Sequence, residues 1–219
     1  LLFLAFGVGL LTGLVCCGFE MALDELVQMR LTGLLALPPL WRWGAAFVSG
    51  ALMAGFAIWL AHRFAPEAGG SGIPEIEGAL EGLRPVRWER VLPVKFFGGL
   101  MALGSGMILG REGPSVQIGG NIGAMVATVE RHSADSRHAL LAAGAAAGLT
   151  AAFNAPLAGI LFVLEELRAQ FRYSFVSVKA VSVAVISATL VRHLLVGDRP
   201  IFPMPELKAP PLEHLAAYL

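Results

Sequence analysis

Glu112 is an acidic residue placed between two long stretches without charge. Apart from the adjacent Arg111, no Asp, Glu, Lys or Arg occurs from residue 96 to residue 129. Pro114 follows two residues later, and proline favours the first turn of a helix because its missing N–H would be unpaired there anyway. The sequence therefore predicts that the Glu112 carboxylate lies beside a helix N-terminus.

A helix N-terminus at this position would give Glu112 a specific chemistry. Free N–H groups and the partial positive charge of the helix dipole stabilise a carboxylate or a small anion. The carboxylate could therefore occupy an anion's place, and protonation would vacate it. This would couple the movement of an anion to that of a proton. The alternative is a structural cap, in which Glu112 pairs with Arg111 or with the helix dipole.

Two other segments share this pattern. Residues 69–77 place Ser71 before Pro74, and residues 153–156 place Asn154 before Pro156. Ser71, Asn154 and the acid described above each lie two or three residues before a proline, in or just outside the capping position. One such segment alone would indicate an ordinary cap in a surface loop. Three of them, flanked by uncharged runs, predict an anion held by helix ends and hydroxyls.

Glu165 and Glu166 follow an uncharged run that covers residues 139–164. They lie near a predicted helix C-terminus, where the dipole disfavours negative charge. Such a pair is a candidate for proton transfer. The alternative is a solvated pair partnered by Arg168 or Arg172.

Glu77 and Lys95 are two further charges among apolar neighbours. A charge at membrane depth is costly and is usually paired with an opposite charge. We therefore predict a structural ion pair between Glu77 and Lys95.

The elements that must position these residues are membrane helices. The chain has 219 residues, of which 56% are hydrophobic and 15% charged, and several uncharged runs approach the length of about 20 residues that spans a bilayer. We predict an all-α multi-pass membrane protein. Its helices are predicted at 1–30, 41–64, 74–83, 88–109, 114–130, 137–152, 156–168 and 174–196.

Several predicted helices are too short to span a bilayer. Short hydrophobic segments interrupted by Gly or Pro indicate half-helices, which end inside the membrane at the binding sites of transporters. Glycines recur four residues apart, which predicts close helix contacts in lipid, at Gly9 and Gly13, Gly106 and Gly110, and Gly144 and Gly148. Residues 197–211 are rich in proline and are predicted to form a loop, after which an apolar pattern restarts at 212–219.

Composition also limits the classes of function. Net charge is zero without a basic run, which argues against nucleic acid binding, and the five histidines lack metal-ligand spacing. Cys16 and Cys17 are adjacent in an apolar run, so we predict reduced thiols. We predict no cofactor, no metal and no enzymatic activity, since an intramembrane hydrolase would need a nucleophile beside a base. A purely structural membrane subunit remains a further alternative.

Three motifs resemble the signatures of one transporter family. Residues 70–75 read Gly-Ser-Gly-Ile-Pro-Glu, residues 110–114 read Gly-Arg-Glu-Gly-Pro, and residues 153–159 read Phe-Asn-Ala-Pro-Leu-Ala-Gly. In this order they resemble the ClC family of chloride channels and chloride/proton antiporters, and the resemblance continues over essentially the whole chain.

The resemblance implies a role for each residue of the anion site. Ser71 matches the serine whose hydroxyl helps to hold the central chloride. Glu112 matches the gating glutamate, which competes with chloride and takes up the proton from the outer side. Backbone amides around Gly110, Arg111 and Gly113 would face the outer anion position.

The resemblance also implies a proton route and a mode of transport. Glu166 matches the inner proton glutamate of the antiporters, and Glu165 precedes it as a polar neighbour on the internal route. Ser71 and Glu166 together favour a chloride/proton antiporter. The alternatives within the family are a passive voltage-gated chloride channel, a nitrate exchanger with Pro at position 71, and a fluoride exchanger, which lacks the acid at position 166.

The resemblance further implies an architecture. Residues 1–219 would form one membrane domain, the first of two inverted repeats, so that the central site would need amides and a tyrosine from the second. The protein would be a homodimer in a bacterial inner membrane, with Arg84, Arg87 and Arg90 on the cytoplasmic side. Helices 156–168 and 174–196 would lie at the subunit interface. Their apolar stripes comprise Leu157, Ile160, Leu161 and Leu164 on the first, and Val178, Val181, Val185 and Thr189 on the second.

Overall fold

The computed structural model describes residues 1–129 and 134–197, and this part of the chain is helical without strands. The all-α fold class is therefore confirmed. The helices are α1 (Leu2–Ala36), α2 (Pro39–Phe64), α3 (Ile73–Leu80), α4 (Trp88–Gly104), α5 (Glu112–Val129), α6 (Ala134–Phe153), α7 (Pro156–Glu165) and α8 (Phe175–Leu195), with a 3₁₀ turn at Pro66–Ala68. Residues 198–219, which include most of the predicted proline-rich loop and the final apolar segment, lie outside the described residues.

Helix length divides the elements into spanning helices and half-helices. In the described part, α1, α2 and α8 are long and apolar enough to cross a membrane. By contrast, α3 has 8 residues and α7 has 10. At about 1.5 Å per residue, neither can cross a hydrocarbon core of about 30 Å. The short helices that begin with proline at the first or second position are thus present as predicted.

Three helices end at least three residues earlier than the sequence predicts: α3 at Leu80, α4 at Gly104 and α7 at Glu165. α4 stops at Gly104 instead of residue 109, because Ser105 Oγ donates to the Ala102 carbonyl and Gly106 adopts a left-handed φ of 89°. α7 stops at Glu165 instead of residue 168. The Leu167 N–H bonds back to the carbonyl of Phe162, five residues earlier, which unwinds the last turn.

Close glycine contacts join the helices that surround the site. Gly144 and Gly148 of α6 lie against the main chain of α5, and Gly9 of α1 lies against the main chain of α8. These contacts match the predicted small-residue spacing, which lets helices approach where hydrophobic transfer does not drive packing. The same spacing predicts a helix contact at Gly106 and Gly110, but both residues lie in the loop between α4 and α5.

The apolar stripe predicted for the dimer interface on α8 faces inward instead. Val181 and Val185 are buried in a cluster with α6 and α7. This part of the interface prediction is therefore wrong. The stripe on α7 is divided, because Leu157 and Leu161 are exposed whereas Ile160 and Leu164 pack against the same buried cluster.

Candidate anion site

The segments of two predicted motifs meet at Ser71 and Gly113. A Cβ atom on Gly113 would overlap the Ser71 carbonyl oxygen and would lie 2.8 Å from Ser71 Oγ. Only glycine allows this approach. Gly72, which precedes α3, has a left-handed φ of 96° and turns the chain into the helix. The fold therefore places the start of α5 against Ser71, two residues before α3.

Helices α3 and α7 each begin two residues after a polar residue that the sequence singles out, Ser71 and Asn154. α3 is preceded by Gly72 and α7 by Ala155, and neither helix has a side-chain cap. Ser71 and Asn154 therefore lie just outside the capping position, one of the two places that the sequence predicts, because the chain turns through one more residue before each helix begins. The first N–H groups of a helix have no partner within it.

Glu112 is the first residue of α5 and lines two separate cavities. We call the first the serine cavity; it has a volume of about 440 Å³ and is lined by Ser71, Lys95 and Gly113 among others. The Glu112 carboxylate lies back over Gly110, where a Cβ atom would overlap it.

The second cavity, which we call the Asp24 cavity, has a volume of about 670 Å³. Asp24 and Arg111 line it, whereas Ser71 and Lys95 do not. Glu112 and Gly110 line both cavities. A change in the position of the Glu112 carboxylate would therefore change the shape of both cavities.

Lys95 holds the chain that leads to Ser71. Its side chain is buried, and Nζ donates to the carbonyl oxygens of Ala68 at 3.0 Å and Gly70 at 2.8 Å. The predicted Glu77–Lys95 ion pair is wrong, because no ion pair within the described residues joins these two side chains. Residues 69–72 are not helical, so their carbonyls are free to accept from Lys95 instead.

The side chain of Arg111 makes a contact that the sequence does not predict. Its Nη1 donates to Glu20 Oε1 at 2.9 Å, and Arg192 donates to the same carboxylate through both Nη atoms. Glu20 and Arg192 are both buried. A weak signal was present, because Glu20 is the first charged residue after 19 uncharged ones.

Glu165 and Glu166 lie apart from this site. They occupy the end of α7, are exposed, and line neither cavity beside Glu112. Arg172 pairs with Asp135 at 2.7 Å and is therefore not the partner of either glutamate. Both carboxylates are free of ion pairs with any residue that the structure describes.

The chain is similar in sequence to known transporters. The chain is 56% identical over 222 aligned positions to the H(+)/Cl(-) exchange transporter ClcA of Salmonella typhimurium, and 55% identical to that of Salmonella paratyphi A. The alignments cover 100% of this chain and 47% of each relative, so the chain spans about half the length of the curated relatives it matches.

The chain also resembles solved structures of transporters. A slow cyanobacterial Cl⁻/H⁺ antiporter superimposes with a TM-score of 0.87 and 39% identity, covering 99% of this chain and 52% of the antiporter. A eukaryotic CLC transporter superimposes with a TM-score of 0.79 and 25% identity, covering 88% of this chain and 38% of the transporter. The voltage gated chloride channel family model matches residues 50–219. The chain is a multi-pass membrane protein that belongs to the voltage gated chloride channel family.

Proposed function

We propose that the intact protein exchanges chloride for protons, and that this chain supplies the central anion site and both proton-transfer positions. The observation that carries the proposal is that Glu112 lines both the serine cavity and the Asp24 cavity. A carboxylate in this place blocks the passage of an anion while it is charged. It opens that passage when it is protonated and withdraws.

Chloride is the anion that suits the serine cavity. Ser71 lines this cavity and offers a hydroxyl, and the start of α5 at Glu112 and Gly113 lines it as well, where a helix N-terminus favours an anion. Lys95 adds a buried positive charge to the lining of the same cavity. Hydroxyl and amide donors beside a fixed positive charge suit a small anion that needs no bidentate partner. Backbone amides around Gly110, Arg111 and Gly113 would hold the anion at its outer position.

Proton transfer requires a second acid on the other side of the anion site. Glu166 is the candidate, and Glu165 would be its polar neighbour on the internal route. Both are exposed, so protons could reach them from water. Because they line neither cavity beside Glu112, the proton and the anion would follow separate routes on the inner side and meet at Glu112.

The second candidate function is passive, voltage-gated chloride flow, as the description of the matching family indicates. A passive channel needs Glu112 as a gate but does not need an inner proton acceptor. The acid at position 166, together with the similarity to transporters named as H(+)/Cl(-) exchangers, favours exchange. We propose transport, and not catalysis, as the activity. We also propose a homodimer in a bacterial inner membrane, in keeping with the Salmonella relatives.

The test uses the intact protein in liposomes loaded with chloride. As chloride leaves down its gradient, protons should enter, and the outer medium should become more alkaline. Glu166→Gln should stop this proton movement while chloride efflux continues. Glu77→Gln is the control, because this acid lines neither cavity and should leave both movements unchanged. Chloride efflux without proton movement in the wild type would identify a passive channel instead.

A further inference from the structure

Glu20 forms a buried cluster with Arg111 and Arg192, which we call the Glu20 cluster. Arg111 Nη1 lies 2.9 Å from Glu20 Oε1, and Arg192 contacts both carboxylate oxygens. Arg192 Nη1 also donates to the Ala151 carbonyl at 2.7 Å, near the end of α6. The cluster therefore joins α1, α6, α8 and the residue that precedes α5.

The Glu20 cluster carries one excess positive charge. It contains two guanidinium groups and one carboxylate, and Arg192 is only 2% exposed. Buried charges are costly, and in membrane segments they usually serve a function. A structural link between α1 and α8 would need only Glu20 and Arg192. The second guanidinium belongs to Arg111, whose neighbour in the chain is Glu112.

Arg111 is held at both ends, which fixes the backbone before Glu112. Its guanidinium is held by Glu20, and its carbonyl accepts from the Ser115 N–H at 3.2 Å and from Ser115 Oγ at 2.9 Å. Rotation of the Arg111–Glu112 peptide would move the Arg111 carbonyl away from Ser115. The amides that we propose for the outer anion position lie on both sides of this peptide, at Gly110, Arg111 and Gly113.

We propose that Glu20 is a positioning residue that sets the pH at which Glu112 gives way to chloride. This inference rests on the proposed function. Glu20 orients Arg111, the residue before Glu112, and offsets one of the two positive charges of the cluster. The remaining positive charge favours the charged carboxylate over the protonated one, and so determines how acidic the medium must be for the passage to open.

Two other charged groups face Glu112 from neighbouring elements. Lys95 of α4 lines the serine cavity, and Asp24 of α1 lines the Asp24 cavity. Both contribute to the electrostatic potential at Glu112. Lys95 and Asp24 are not changed in the variants described below. A shift of the midpoint in those variants therefore reports the change in the charge of the cluster.

The experiment measures chloride efflux from liposomes as a function of pH, using the intact protein. Efflux should rise as the pH falls, and we call the pH of half-maximal efflux the midpoint. Glu20→Gln raises the charge of the cluster and should move this midpoint to lower pH by about one unit. Arg192→Gln lowers the charge and should move the midpoint to higher pH by a similar amount. The double variant restores the original charge and should return the midpoint towards that of the wild type.

Two further variants separate charge from structure. Glu20→Asp keeps the carboxylate and should give a midpoint near that of the wild type. Arg42→Gln removes a guanidinium that donates to the carbonyls of Leu35 and Leu37, its partners among the described residues, and should not move the midpoint. If Glu20→Gln does not fold, Arg192→Gln alone still tests the proposal, because the proposal requires its midpoint to move to higher pH.

The outcomes distinguish this inference from the proposed function. Single variants that lower efflux equally at every pH, without moving the midpoint, would show a merely structural link and overturn the inference. Shifts of the same sign in Glu20→Gln and Arg192→Gln would also overturn it. In both cases, proton-coupled efflux in the wild type would leave the proposed function intact. Efflux without proton movement in the wild type would instead refute the proposed function itself.

Discussion

The main chain of Ser71 lies so close to Gly113 that a methyl group on Gly113 would overlap the Ser71 carbonyl oxygen. This contact joins two segments that are 42 positions apart in the sequence, from residue 71 to residue 113. It places a hydroxyl, the start of α3 and the start of α5 at one point. The proposed anion site depends on this approach.

Gly113→Ala should therefore disrupt the site. The added methyl group must displace the Ser71 main chain or the start of α5, and such overpacking typically costs about 1–3 kcal/mol. We expect a lower melting temperature in detergent and a chloride flux that falls roughly tenfold. Gly55→Ala in α2 is the matched control, because a methyl group added there would lie more than 4 Å from every described atom outside its own turn of helix. A Gly113→Ala variant with normal flux would show that the site tolerates separation of these segments.

Lys95→Met tests the role of the buried ammonium. It removes two hydrogen bonds to the carbonyls of Ala68 and Gly70, each a charge-assisted bond of about 1.5–3 kcal/mol. The segment before Ser71 should loosen, and chloride binding measured by calorimetry should weaken about tenfold. Glu77→Gln should leave chloride binding unchanged. Equal losses in both variants would instead support the ion pair that the sequence predicts.

Ser71→Pro tests the choice of anion. The serine offers a hydroxyl donor to a spherical anion, and proline removes it. We expect a weaker preference for chloride and a higher rate of nitrate transport, measured as anion-exchange rates in liposomes. Ser71→Thr keeps the hydroxyl and should retain the chloride preference. The coordinating role of Ser71 would be refuted by a proline variant with the selectivity of the wild type.

The proposed subunit contact should involve the exposed side of α7. Leu157 is 75% exposed and Leu161 is 48% exposed in the isolated chain. Because association in lipid depends on close packing, tryptophan at both positions should separate the subunits. Cross-linking in membranes should then capture fewer dimers, while chloride flux persists if each subunit holds its own pathway. Val48→Trp on the exposed face of α2 is the control; undiminished cross-linking of the α7 variant would place the contact elsewhere.

The sequence predicts the helices and the positions where they break. Uncharged runs and prolines mark these features locally, so the predicted starts of α5 and α7 agree with the structure to within two residues. Helix ends are less predictable. The early end of α4 depends on a hydrogen bond from Ser105 Oγ and on the left-handed backbone of Gly106, neither of which affects hydrophobic periodicity.

The polar contacts of the site cannot be predicted in the same way. Glu20 and Arg192 are 172 positions apart, so only the packing of α1 on α8 brings them together. Lys95 binds carbonyl oxygens, whose direction depends on the backbone path and not on residue type. The prediction for the inward face of α8 is wrong for a different reason. Lipid is as apolar as the protein interior, so the apolar pattern of Val181 and Val185 does not show whether these side chains face lipid, another subunit or the interior.

The pH dependence of chloride flux through Glu112→Gln tests the central claim most directly. The neutral amide cannot take up a proton or return as a charged competitor of chloride. In liposomes that contain the intact variant, chloride flux should be the same from acidic to neutral pH, and a chloride gradient should no longer drive protons. Flux that still rises as the pH falls, or protons that still move against their gradient, would show that another group couples chloride to protons.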